Sequence, residues 1–186
     1  MALLRPVQVR SRAQLGLRRR QQQGAVAIEF AVLFMVFFAV LYAIIAYSIP
    51  LLLSLTFNHL SAEATRQAVK VDPAIGAAAY AQTISKVVQD TVENSWLPDS
   101  WRGKDRCDPP ADTGLSWTSL DSPYAFLAAE KLGTVERTQL HVCLQREYSK
   151  STAIIPILTV FGVDIPSLPK DAQGETFLRG RSTIRL

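Results

Sequence analysis

The sequence predicts an α+β protein. A long N-terminal transmembrane helix continues into an amphipathic helix, and a small extracytoplasmic domain with a few antiparallel strands follows. Three observations carry this. An apolar run with one charge fills residues 25–57. Apolar residues then recur at three- and four-residue steps, the period of a half-buried helix. Thr138–Tyr148 alternates apolar and polar residues, the period of a half-buried strand. At 186 residues, an anchor plus one ordinary domain is the natural organisation. The expected segments are a basic cytoplasmic leader at 1–24, a transmembrane helix with an apolar extension at 25–57, and the domain at 58–186.

The charge is divided unevenly. Residues 1–24 hold six arginines (Arg5, Arg10, Arg12, Arg18, Arg19, Arg20) and no acid. From Ala25 onward there are 14 Lys+Arg and 16 Asp+Glu, a net of −2. The high overall pI belongs to the leader. A slightly acidic body disfavours nucleic acid as a partner.

The apolar run reads AVAIEFAVLFMVFFAVLYAIIAYSIPLLLSLTF, with Glu29 its only charge. A bilayer core needs about 20 apolar residues in a helix, and this run exceeds that. It is too long for the apolar part of a cleaved secretory signal, at roughly 7–15 residues, and no small-residue cleavage site follows it. A buried soluble helix and a mitochondrial transit peptide are the weaker alternatives. The arginines hold the N-terminal side in the cytoplasm. The expected placement is single-pass in the inner (cytoplasmic) membrane of a bacterial cell, with the C-terminal domain periplasmic or extracellular. Pro50 removes an N–H and crowds the preceding turn, so a kink or break is expected there. Glu29 lies about 7 Å into the run at 1.5 Å per residue. A carboxylate within a membrane segment is by default functional; the bland alternative is an interfacial Glu tolerated on an uncleaved anchor.

RRRQQQGAVAIEFAVLF resembles the class III signal sequences of type IV pilins and pseudopilins. AIEFAVLF and the later HLSAEATRQAVKV resemble the TadE-like family of the tight-adherence (Flp, type IVc) pilus system. The resemblance is specific over Arg18–Val71 and loose elsewhere. It implies cleavage between Gly24 and Ala25 by a prepilin peptidase, with Glu29 at the fifth mature position and Phe30 after it. Glycine at the cut has no Cβ to obstruct a tight site. The resemblance also implies that Glu29 pairs with the first-residue amine of a neighbouring subunit, offsetting its burial. Ala25 departs from the Phe or Met common in type IVa pilins, which favours the tight-adherence branch. The implied partners are the membrane, the peptidase, other pilins or pseudopilins and the tight-adherence secretion machinery.

Beyond the run, Phe57, Leu60, Ala64, Ala68 and Val71 form one apolar face of a helix continuing outward, which Pro73 ends or kinks. A second helix over about Ala74–Val92 places Ile75, Ala79, Ile84, Val88 and Val92 on one side. Residues 94–122 are rich in turn formers and read as a long loop. Trp96, Trp101 and Trp117 are expected to pack as the loop's own core rather than form a contact surface. Pro123–Lys131 reads as a short helix with Gly133 as its stop. In the strand Thr138–Tyr148, Leu140, Val142 and Leu144 face one way, and His141, Cys143, Gln145 and Glu147 the other. Ala153–Phe161 is an apolar run broken by Pro156 and too short to span. A last strand is expected over Thr176–Arg185.

Cys107 and Cys143 can pair on an oxidising side. The bridge would contribute roughly 3–4 kcal/mol in the chain-entropy model and pin the Trp-rich loop over the strand's polar face. Two unrelated thiols are the alternative. A metal site from Cys107, Cys143 and His141 has no supporting ligand spacing, so no metal and no cofactor is expected. Phosphate-loop, dinucleotide, nucleophile-elbow and zinc-protease patterns are all missing from the sequence. RGKDR at 102–106 lacks phosphate-loop spacing and reads as a solvated turn. The expectation is a non-enzymatic pseudopilin-like component of tight-adherence pilus assembly. The alternative is an unprocessed signal-anchored envelope scaffold or binding protein outside any pilus.

Overall fold

The computed structural model describes residues 13–103, 105, 107–110, 114–133, 135–160, 162–171 and 173–186, the side chains of 13–23, 132, 135 and 136 excepted. Arg5, Arg10 and Arg12, the side chains of Arg18–Arg20, and Lys104, Arg106 and Phe161 therefore lie outside the described residues. The chain forms two units, Met1–Ile45 and Ala46–Leu186. The architecture is α+β. Helix α1 covers Ala13–Ala68, a 3-10 turn covers Pro73–Ile75, and α2 covers Ala77–Glu93. The strands are β1 (Trp117–Ser119), β2 (Ala125–Leu132), β3 (Val135–Glu147), β4 (Leu158–Val160), β5 (Val163–Ile165) and β6 (Phe177–Arg185). Four form one antiparallel sheet in the order β1-β2-β3-β6, and β4 pairs with β5 in a separate hairpin.

The core of Ala46–Leu186 lies between the helices and one face of the sheet. Leu53, Phe57, Leu60, Ala64 and Ala68 of α1 join Ile84, Val88 and Val92 of α2 there. The sheet contributes Leu140, Val142 and Leu144 from β3 and Leu178 from β6. The apolar face expected from Phe57 onward is therefore the packing face of α1. On α2 the buried set is Ile84, Ser85, Val88 and Val92. Ile75 lies in the 3-10 turn before α2 and Ala79 in the first turn of α2, and both are exposed. α1 runs through Pro50, whose side chain is fully buried. One missing N–H costs a single ladder bond and does not end the helix. α1 instead ends by tightening, with Lys70 N–H donating to Gln67 O and Val71 N–H to Ala68 O. Asp72 then caps the Pro73 turn by accepting from Ala74 N–H at 2.8 Å.

Two glycines set the closest approaches. Gly180 lies under α1, and a Cβ there would overlap the Phe57 carbonyl carbon and the Asn58 nitrogen. Beside it Asn58 Oδ1 accepts from Arg181 N–H at 3.3 Å, and Thr65 and Ser182 hydroxyls meet at 3.1 Å. A Cβ on Gly103 would overlap the backbone of Gln145, so the loop lies directly on β3.

Several expectations need correction. The stretch read as a helix at Pro123–Lys131 is strand β2, paired along its length with β3, and Gly133 at φ 64° is in the connecting turn. Local helix preference yields there to the cross-strand partners. Trp117 leaves the expected loop for β1. The three tryptophans share no core: Trp96 is exposed, Trp101 packs on the main core and Trp117 on the sheet's other face. Arg102 in RGKDR is structural rather than solvated. Its guanidinium donates to Leu97 O and Glu93 O at the C-terminal end of α2 and pairs with Asp99.

Candidate functional site

The residues singled out for processing lie early in α1. Among the described residues, nothing beyond the helix's own adjoining backbone comes within 4 Å of where a Gly24 Cβ would stand, and Gly24, Ala25, Glu29 and Phe30 are all exposed. Every residue from 24 to 41 is exposed, up to 73% for Met35. Water would penalise such a surface strongly, at about 25 cal/mol per Å² of apolar area, whereas an acyl environment would not. Phe30, Phe34 and Phe38 form an i, i+4 ladder with ring centroids 6.0 and 4.5 Å apart, and Phe37 meets Phe38 edge-on at 5.6 Å. This aromatic ridge and Glu29 share the exposed helix surface. Among the described residues one helical stretch, Gly24–Ala68 of α1, is long and apolar enough to cross a membrane, and its most apolar 18-residue window has no buried residue. That fits a single-pass membrane protein.

The second group of singled-out residues lies on the sheet face away from the helices. Cys107 and Cys143 are joined in a disulfide with Cα atoms 6.0 Å apart. The bridge packs with Phe126 and Trp117. Asp105 adds to the clasp: its Oδ2 accepts from Glu147 N–H at 2.7 Å. Arg146 fixes the neighbouring loops by donating to Ser100 O and Thr152 O. Together these hold Ser100, Gly103, Asp105 and Cys107 against β3.

His141 is 1% exposed on the same face. Trp117 lies edge-on at 5.6 Å and Phe126 at 6.3 Å. Its Nδ1 meets Thr183 Oγ1 at 2.7 Å, while Nε2 is buried without a hydrogen-bond partner. Burial pushes the imidazole down to about 4, with Arg181 adding to the effect. A neutral, half-satisfied histidine packed between aromatics is a core residue. Among the described residues no group of three or more His, Cys, Asp or Glu is arranged to hold a metal ion. At the far end of β3, Glu130 accepts from Gln139 and pairs with Arg185 at 2.9 Å; these hold its carboxyl below the usual range.

Sequence reasoning missed Gly103, Gly180, Arg102 and Asp105. Glycine without a turn signal and charged residues in a loop carry no periodicity to mark them. The structure brings Cys107, Cys143 and His141 together; Gly24, Ala25, Glu29 and Phe30 belong to the other unit, Met1–Ile45.

No curated protein and no solved structure matches the chain. A family model described as TadE-like protein matches residues 24–66. From the glycine of the expected cut to the middle of the apolar packing face of α1, the chain carries a TadE-like segment.

Proposed function

We propose that this chain is a pseudopilin-like membrane component of tight-adherence pilus assembly, processed by a prepilin peptidase after Gly24. The single observation that carries this reading is the TadE-like match, which begins at Gly24 and takes in the whole apolar run. The arginine-rich leader stays cytoplasmic, the apolar helix crosses the inner membrane, and Ala46–Leu186 stands outside. The role is structural: the chain is the peptidase's substrate and a packing unit.

The physical logic is that of a retained helix. Cleavage at an unobstructed Gly24 frees the Ala25 amine about 6 Å of helix rise from Glu29. That amine, on a neighbouring subunit, is the cation that offsets the cost of a carboxylate in an apolar layer. The aromatic ridge of Phe30, Phe34 and Phe38 offers broad surface for helix–helix contact in lipid. The oxidising outer compartment is the one in which the Cys107–Cys143 bridge persists.

Replacing Glu29 with Ala tests the reading. Loss of pili with the protein still at normal membrane level is expected. Normal piliation would favour an unprocessed envelope scaffold instead. Genes for a secretion ATPase and a prepilin peptidase beside this one are the expected genomic setting.

A further inference from the structure

The β4–β5 hairpin has two chemically distinct faces. Its register pairs Leu158 with Ile165 and Val160 with Val163, so these four apolar side chains share one face. Thr159 and Asp164 pair on the other. There Thr159 donates to Asp164 Oδ1 at 2.6 Å, and Lys150 Nζ donates to Thr159 at 3.0 Å and lies 3.3 Å from Asp164. The polar face is thus satisfied within the domain. Among the described residues the apolar face is largely open: Leu158, Val160 and Val163 are 45%, 42% and 57% exposed, and Ile165 is half-buried. An isolated two-stranded hairpin is marginal in water, and an open apolar face makes it more so.

The hairpin's place in the fold says what covers that face. Two residues beyond Ile165, Ser167 N–H donates to the Tyr47 hydroxyl at 3.0 Å. Tyr47 belongs to α1 and lies within the apolar run. A hydrocarbon core of about 30 Å takes about 20 residues, from Ala25 to Ile44. The headgroup layer adds about 5–7 Å, or about three to five residues more, and Tyr47 falls inside it. Tyrosine is enriched at that level.

We infer that the β4–β5 hairpin is a second membrane contact, its apolar face lying at the headgroup–acyl boundary of the outer leaflet of the bilayer that the N-terminal helix crosses. The inference rests on reading residues 25–45 as a membrane span. The hairpin and Tyr47, joined through Ser167, then meet the same lipid surface.

Both native cysteines are in the disulfide, so an introduced cysteine is the single free thiol in each variant. Full-length Val163→Cys, Val40→Cys and Lys131→Cys proteins carry a nitroxide and are placed in phosphatidylethanolamine–phosphatidylglycerol bilayers. Collisions with oxygen and with a water-soluble nickel chelate are compared. Lys131 is the aqueous reference: its partner Glu136 is 11 residues along β3 from Glu147, about 36 Å at 3.3 Å per residue, while Glu147 shares a cleft with Asp164. The expected result is oxygen exceeding nickel at 163 and 40, and nickel exceeding oxygen at 131. Nickel in excess at 163 with oxygen in excess at 40 overturns the inference and leaves the span intact. Shielding from both reagents at 163 also overturns it, since a second copy of the chain would then cover the face. Nickel in excess at 40 overturns the span itself and the inference with it. Val160→Cys, directly across the hairpin, repeats the reading should the label at 163 disturb the fold.

Discussion

Replacing both Cys107 and Cys143 with Ala removes the one covalent link between the 97–110 segment and β3. The two residues are 36 apart in sequence. In the chain-entropy model a closed loop of that length contributes about 3.8 kcal/mol at 25 °C by restricting the unfolded chain. Arg102, Asp105 and Gly103 hold the same segment in the native state. Their contacts survive the substitution and leave the unfolded-chain effect untouched. Both sulfurs are buried against Phe126 and Trp117, so each truncation adds a small packing loss of about 0.5–1 kcal/mol. The expected loss is thus about 5–6 kcal/mol. Urea unfolding of the full chain in lipid nanodiscs, followed by tryptophan fluorescence, measures it; without the crosslink the unfolded chain is also more open, so the denaturant slope should steepen. A loss under about 1 kcal/mol with an unchanged slope would refute the reasoning.

Three further outcomes are expected. Gly180→Ala forces a methyl into the α1 backbone at Phe57–Asn58, where only backbone can yield; the cost should be about 2–3 kcal/mol, read as a midpoint shift against a Ser182→Ala control that loses only the hydroxyl contact to Thr65. His141 is held neutral down to about 4 by burial and then by Arg181, whereas the unfolded imidazole protonates below about 6.5. Stability should therefore be complete above pH 6.5 and fall as pH drops toward 4, by at most about 3 kcal/mol, and His141→Leu should flatten that slope. Arg102→Ala removes the donors to Glu93 O and Leu97 O and should cost about 1–2 kcal/mol, visible as faster hydrogen exchange at the end of α2.

What the sequence made legible was whatever repeats. Phe57, Leu60, Ala64 and Ala68 mark the packing face of α1 because each lies three or four residues from the last and each meets the same core. Leu140, Val142 and Leu144 mark β3 by strict alternation. The strand over Ala125–Leu132 was not legible, because AFLAAEKL is built of good helix formers. Only the long-range partners on β3 decide its state. The division of the apolar run was hidden for a related reason. Leu53 and Phe57 are buried against the sheet while Leu51, Leu52 and Leu55 are exposed, and apolarity is the same whether the neighbour is lipid or protein. At the candidate sites, the GAVAIEF stretch was legible as a motif, and the apposition of Cys107 and Cys143 followed from compartment and strand face. Gly180 and Gly103 were invisible, since a close approach between distant segments leaves no local signature.

The central claim is that Gly24 ends a leader and Ala25 begins the working subunit. Mass spectrometry of the membrane-extracted protein, from a strain that carries the prepilin peptidase, tests it most directly. The expected mature N-terminal peptide starts at Ala25 and is replaced by a longer one when the peptidase gene is deleted. An N-terminal peptide from upstream of Gly24 in the peptidase-bearing strain would contradict it.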